Sequence, residues 1–263
     1  GNSSVDLLSL SRRALEQTRG NKTSMIFQEP MTSLNPVFTC GQQVAEVLLI
    51  HHNISKQEAK KEAIQWFKRV KLPDPDGIYN RYPHQLSGGQ KQRVMIAMAM
   101  CCKPSLLICD EPTTALDVTV QKSVLDLIKE LQQETGMGVI FITHDLGVVA
   151  EIAHRAVVMY KGKIMEEGPT QTLFNHPREA YTKALMACRP VNHKRGDRLP
   201  VVSDFLNNGE KTNDAVGDVA TVGSDPVQGV LVHPDDSFGQ ASNPYTVPSG
   251  DFQKPLNKVQ HLS

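Results

Sequence analysis

Three short apolar runs, SMIFQ at 24–28, SLLICDE at 105–111 and GVIFITHD at 138–145, each end on polar residues, and longer helix-patterned stretches separate them. Runs this short, bounded by turn or charged residues, read as buried strands. Strands that alternate with helices need crossovers, so they pair in parallel and build an α/β sheet. Ligands of such open sheets bind just beyond the C-terminal strand ends. Gln28, the pair Asp110 and Glu111, and His144 stand at those ends, so reactive groups are expected to gather there.

The helices are legible from caps and periodicity. Ser55 and Glu58 form a capping box, and Ala59, Ala63, Phe67 and Val70 share one face of the helix that follows. A second helix runs from Gln90 to Met100, with Lys91, Gln92 and Arg93 near its exposed start. Val120, Val124, Leu127 and Leu131 line a third, closed by Gly136. Residues 1–20 carry a short amphipathic helix ending at Gly20, DPDG at 74–77 reads as a break, and RAVVMYKGKIMEEG as a hairpin turning at Lys161–Lys163.

The stretch LSGGQ at 86–90 opens the second helix. A helix N-terminus presents unpaired N–H groups and partial positive charge, which suits an anion. Gly88 and Gly89 let a phosphate approach the backbone, and Ser87 adds a hydroxyl; the bland alternative is a glycine-rich helix start with a serine cap. At the strand ends, Asp110 can hold Mg²⁺ through water, Glu111 can polarise an attacking water, and His144 can hydrogen-bond a γ-phosphate. Yet no Gly-x-x-x-x-Gly-Lys-Ser/Thr cradle occurs anywhere in the 263 residues.

Composition excludes several classes. Lys plus Arg and Asp plus Glu both number 28, so no basic field points to nucleic acid. The apolar runs fall far short of the roughly 20 residues that span a bilayer. The five cysteines contain no C-x-x-C pair. Cys101, Cys102 and Cys109 sit in apolar runs and read as small buried residues of a reducing compartment. The expectation is a soluble chain in the cytoplasm. Beyond about residue 190, Gly, Ser, Asn and Pro dominate and acids outnumber lysines, so 191–253 reads as an acidic flexible linker, the less favoured alternative being that GVLVH and ATVG inside it form short strands.

Taken in order, FQEP, LSGGQ, LLICDEP, ALD and ITHD resemble the motifs of the nucleotide-binding domain of ATP-binding-cassette (ABC) proteins. The resemblance covers roughly residues 7–190. It implies an α/β, P-loop NTPase-type ABC ATPase domain: a parallel sheet core plus a helical signature subdomain at about 37–100. It also implies ATP and Mg²⁺ as ligands. Gln28 would touch Mg²⁺, Ser87, Gly88, Gly89 and Gln90 would be the signature, and Asp110 the Walker B acid. Glu111 would be the catalytic base, Asp117 the D-loop acid and His144 the switch histidine.

The fuller FQEPMTSLNPVFTCGQQ looks like the oligopeptide/dipeptide importer branch, and 174–190 resembles its C-terminal extension, with Glu179 and Ala180 where that branch writes His-Pro. The partners so implied are a second ABC ATPase domain in a homo- or heterodimer, membrane-spanning permeases and, indirectly, a solute-binding protein. Nucleic acid is not among them. The expected place is peripheral, on the cytoplasmic face of the inner membrane.

Family members carry the phosphate cradle in a segment ahead of these motifs. The chain therefore looks like an N-terminally truncated cassette, expected to be inactive alone. Residues 254–263 read either as the start of a second cassette or as a polar tail. Two further readings stay open: a non-transport ABC ATPase, and an inactive cassette fragment that only binds a partner.

Overall fold

The computed structural model describes residues 4–28, 33–114, 116–188, 230–232 and 247–248. A parallel sheet forms from β2 (Thr23–Ile26), β3 (Leu106–Asp110) and β4 (Gly138–Ile142), in the order β2-β3-β4. Leu106 pairs with Thr23 on one side and with Gly138 on the other, so the three strands run level and finish together. That common finish is what places Gln28, Asp110 and His144 at one edge, as the apolar runs predicted.

Between β2 and β3 the described chain is helical: α2 (Cys40–His51), α3 (Lys56–Arg69), α4 (Pro75–Tyr79) and α5 (Gly88–Met100), after α1 (Arg12–Thr18) near the start. The Ser55–Glu58 capping box closes both ways, with Glu58 accepting from Ser55 N–H at 2.8 Å and Ser55 Oγ accepting from Glu58 N–H at 3.2 Å. The DPDG break is instead a one-turn helix. Asp74 accepts from Gly77 N–H and Pro75 stands at its first position, where the missing N–H costs nothing. Trp66, Phe67, Ile78, Val94, Ile96 and Met100 bury against Leu107 and Phe141, so helices and sheet share one core.

After β3 come α6 (Val118–Thr135), β4 and α7 (Leu146–Ile152). Gly136 takes φ +65° and ends α6, the left-handed turn a glycine adopts without a Cβ clash. β5 (Arg155–Tyr160) and β6 (Lys163–Pro169) form the expected hairpin. Lys161 and Gly162 both have positive φ, as a two-residue turn between twisted strands requires. Two short helices follow, α8 (Thr170–Asn175) and α9 (Ala180–Ala187).

One further expectation needs correcting. Lys91 and Gln92 are not at an exposed helix start: both are buried, because that face of α5 packs into the core and not into solvent. Within 191–253, the strand alternative for GVLVH is the one the structure forms, at Val230–Val232. β7 (Val230–Val232) pairs antiparallel with Val139–Phe141 of β4, and β8 (Val247–Pro248) pairs with β1 (Ser4–Val5). The open edge of β4 offers unpaired backbone groups, and a β-rich tripeptide satisfies them even inside a polar sequence. The remainder of the expected linker, and residues 254–263, lie outside the described residues.

Candidate active site

Glu111 follows the last residue of β3 and takes φ +43°, a left-handed conformation uncommon for a residue with a Cβ and concentrated at functional sites. Its N–H donates to Ile142 O at 2.9 Å, which fastens the end of β3 to the end of β4. Three side chains converge on its carboxylate. Gln28 Nε2 donates to Oε2 at 3.0 Å, Thr114 Oγ1 donates to Oε2 at 2.9 Å, and His144 Nδ1 lies 2.8 Å from Oε1. Burial opposes ionisation of Glu111, but the bonds from His144, Thr114 and Gln28 outweigh it and hold its pKa below the ordinary value.

Asp110, the last residue of β3, has the opposite shift. Burial raises its pKa, and the negative charge of Glu111 beside it raises it further. The paired acids are therefore not equivalent. Hydrogen bonds stabilise the ionised form of Glu111, whereas burial and the neighbouring charge oppose ionisation of Asp110.

The expected helix mouth is present as well. Ser87 is the N-cap of α5, with its Oγ accepting from Gln90 N–H at 3.3 Å, while Gln90 Oε1 accepts from Ser87 N–H at 3.0 Å. The capping box thus occupies one acceptor site of Gln90 Oε1 and one of the Ser87 hydroxyl, so the Gln90 amide N–H groups and the Ser87 proton remain to donate. Gly88 and Gly89 are the first two helical residues, so their N–H groups have no acceptor within the helix. Asp117 caps α6, accepting from Val120 N–H at 2.9 Å.

The predicted residues fall into two groups. Gln28, Asp110, Glu111 and His144 gather at the strand ends. Ser87–Gln90 and Asp117 line a separate cleft of about 490 Å³, together with Arg93, Leu116 and Ser123. Sequence reasoning singled out neither Thr114 nor the cleft side of Arg93. Thr114 could have been found from its place three residues after Glu111 in the strand-end turn.

The sequence profile of the ABC transporter family matches residues 4–114. The fold is that of a dimeric ATP-binding cassette solved in a post-hydrolysis state with ADP and Pi. That structure is 31% identical, with a TM-score of 0.55, over 62% of this chain and 68% of the solved one. The chain belongs to the ATP-binding-cassette family. Among curated relatives, this cassette is 50% identical over 213 residues to a Brucella melitensis protein whose name assigns it to peptide import as an ATP-binding protein. It is 49% identical over 230 residues to the glutathione import ATP-binding protein GsiA of Escherichia coli O1:K1 / APEC. The matches cover 81% and 85% of this cassette, but only 61% and 36% of those relatives.

Proposed function

We propose that this cassette is the ATP-hydrolysing part of an importer for peptides or related small solutes. The convergence of Gln28, Thr114 and His144 on Glu111, at the ligand-binding end of the sheet, carries the catalytic half of that reading. Glu111 is the general base. Three of its roughly four lone-pair sites are engaged, which leaves one to accept the proton of an attacking water. His144 gives its Nδ1 side to Glu111, which leaves its other ring nitrogen to meet a phosphate oxygen when the ring carries both protons.

Bound Mg²⁺ and ATP would supply the γ-phosphoryl group and the charge neutralisation. The donor set fits that ion. Asp110 offers a hard oxygen whose charge a cation would relieve, and Gln28 offers an amide oxygen. Among the described residues no group of three or more His, Cys, Asp and Glu is arranged to hold a metal. Mg²⁺ is commonly held by one or two protein oxygens, with phosphates and water completing its shell. The Ser87 hydroxyl, the Gly88 and Gly89 N–H groups and Asp117 face the nucleotide of a second cassette. With no Gly-x-x-x-x-Gly-Lys-Ser/Thr stretch in the 263 residues, the chain by itself leaves the β- and γ-phosphates uncradled and does not turn over ATP.

The import half rests on the named relatives and on one surface. Val37 and Phe38 are exposed at 71% and 49%, and Tyr82 at 39%. Cys40 N–H donates to Arg81 O at 2.8 Å, which brings the two strips together. Exposed apolar side chains gathered in this way mark an interaction site. We assign it to a permease, which puts the cassette peripherally on the cytoplasmic face of the membrane; among the described residues no helix is long and apolar enough to cross one. Vesicles carrying peptide-importer permeases should retain the chain on flotation, and Phe38→Asp should release it. Equal retention by permease-free vesicles would overturn the import reading.

A further inference from the structure

Two consecutive turns of α5 are fastened to two consecutive turns of α6. In the first, a Cβ built on Gly89 would lie 2.8 Å from Val120 Cγ1, so the helices meet there without room for a side chain. One turn on, Arg93 donates from Nη2 to Ser123 Oγ at 3.3 Å and from Nη1 to Val70 O at 2.5 Å. Ser123 Oγ in turn donates to Val120 O at 2.8 Å, which joins the lower contact to the upper one. Val70 is the C-cap of α3, so a single guanidinium ties three helices.

Arg93 lies about 9 Å along the helix axis from Ser87, and one donor on each of its terminal nitrogens is given to protein. Those two bonds let it act through the helices that carry Ser87 and Asp117. Its planar fork serves two acceptors at fixed geometry, which the single ammonium of a lysine does not reproduce.

We infer that Arg93 is a positioning residue that locks the head of α5 to the head of α6, so that Ser87–Gln90 and Asp117 present themselves to a nucleotide as one rigid unit. The functional part of this inference rests on the nucleotide-facing role proposed above for those residues; the fastening does not.

Amide hydrogen exchange on the full chain tests the fastening without any nucleotide. Arg93→Met should raise exchange about tenfold across the hydrogen-bonded amides of both 90–93 and 120–123, while β3 is unchanged. Arg93→Lys, able to reach one acceptor, should match Ser123→Ala. The double variant Arg93→Met/Ser123→Ala should lose less than the sum of the two single variants, since both remove the Arg93–Ser123 contact. Faster exchange in α5 alone, parent-like behaviour of Arg93→Lys, or additive effects would overturn the inference.

Turnover in a mixed site, with an intact cassette supplying the phosphate loop and this chain the signature, separates the two readings. Arg93→Met should lower kcat about fivefold or more with KM unchanged. If Ser87→Ala lowers turnover and Arg93→Met does not, the positioning role is wrong while the proposed function stands. If neither lowers it, the nucleotide-facing role is wrong, and the exchange data alone decide the fastening.

Discussion

His144 Nδ1 and Glu111 Oε1 stand 2.8 Å apart across the ends of two neighbouring parallel strands. Within this pair the imidazole supports the ionised carboxylate, and His144 is the first of the partners that lower the pKa of Glu111. Removing it leaves burial less opposed. In His144→Ala the Glu111 pKa should therefore rise, as read by carboxyl-carbon NMR titration. An unchanged titration would mean that the contact does not form in solution.

The close approach at Gly89 predicts a cost that a second substitution relieves. Gly89→Ala forces its Cβ against Val120 and should destabilise the chain by about 1–3 kcal/mol, the usual range for overpacking. Val120→Ala in the same chain should return much of that loss. Denaturant melts of the two single variants and the double variant give the coupling directly. Additive losses would show that Val120 is not what Gly89 makes room for.

Glu166 predicts an acid-sensitive C-terminal helix. Its carboxylate accepts from Arg178 N–H at 2.9 Å and Glu179 N–H at 3.1 Å, immediately before α9. Burial opposes its ionisation, but those backbone bonds outweigh it and hold the pKa below the ordinary 4.5. A folded-state pKa that is depressed contributes stability above the unfolded value, lost as pH falls through the folded one. Protection of the 180–187 amides should accordingly fall as pH drops below about 4.5, and Glu166→Gln should flatten that dependence. A parent-like pH profile in Glu166→Gln would remove Glu166 from the account.

The sheet was legible because each strand is an apolar run that stops at a polar residue. For the same reason Gln28, Asp110, Glu111 and His144 could be named before the fold was known. Helix caps were equally readable where the residues act locally, as at Ser55 with Glu58 and at Ser87 with Gln90. Burial of Lys91 and Gln92 was not legible, because it depends on which face of α5 meets the sheet. Nor was the pairing of Val230–Val232 with β4, a contact between segments far apart in sequence. The fastening by Arg93 was not legible for a related reason: its acceptors, Val70 O and Ser123 Oγ, belong to other helices.

The central claim is the proposal that Glu111 is the general base of an ATPase site that also requires a phosphate cradle and the signature of a second cassette. Phosphate release with Mg²⁺ and ATP, measured for the chain alone and for the chain completed with an upstream Gly-x-x-x-x-Gly-Lys-Ser/Thr segment, tests it most directly. The account predicts no turnover by the chain alone and turnover by the completed protein. In the completed protein, Glu111→Gln should keep ATP binding while lowering turnover by about 10² or more, the order expected when a general base is lost. Turnover by the chain alone that disappears in Glu111→Gln, or parent-rate turnover by the completed Glu111→Gln variant, would contradict it.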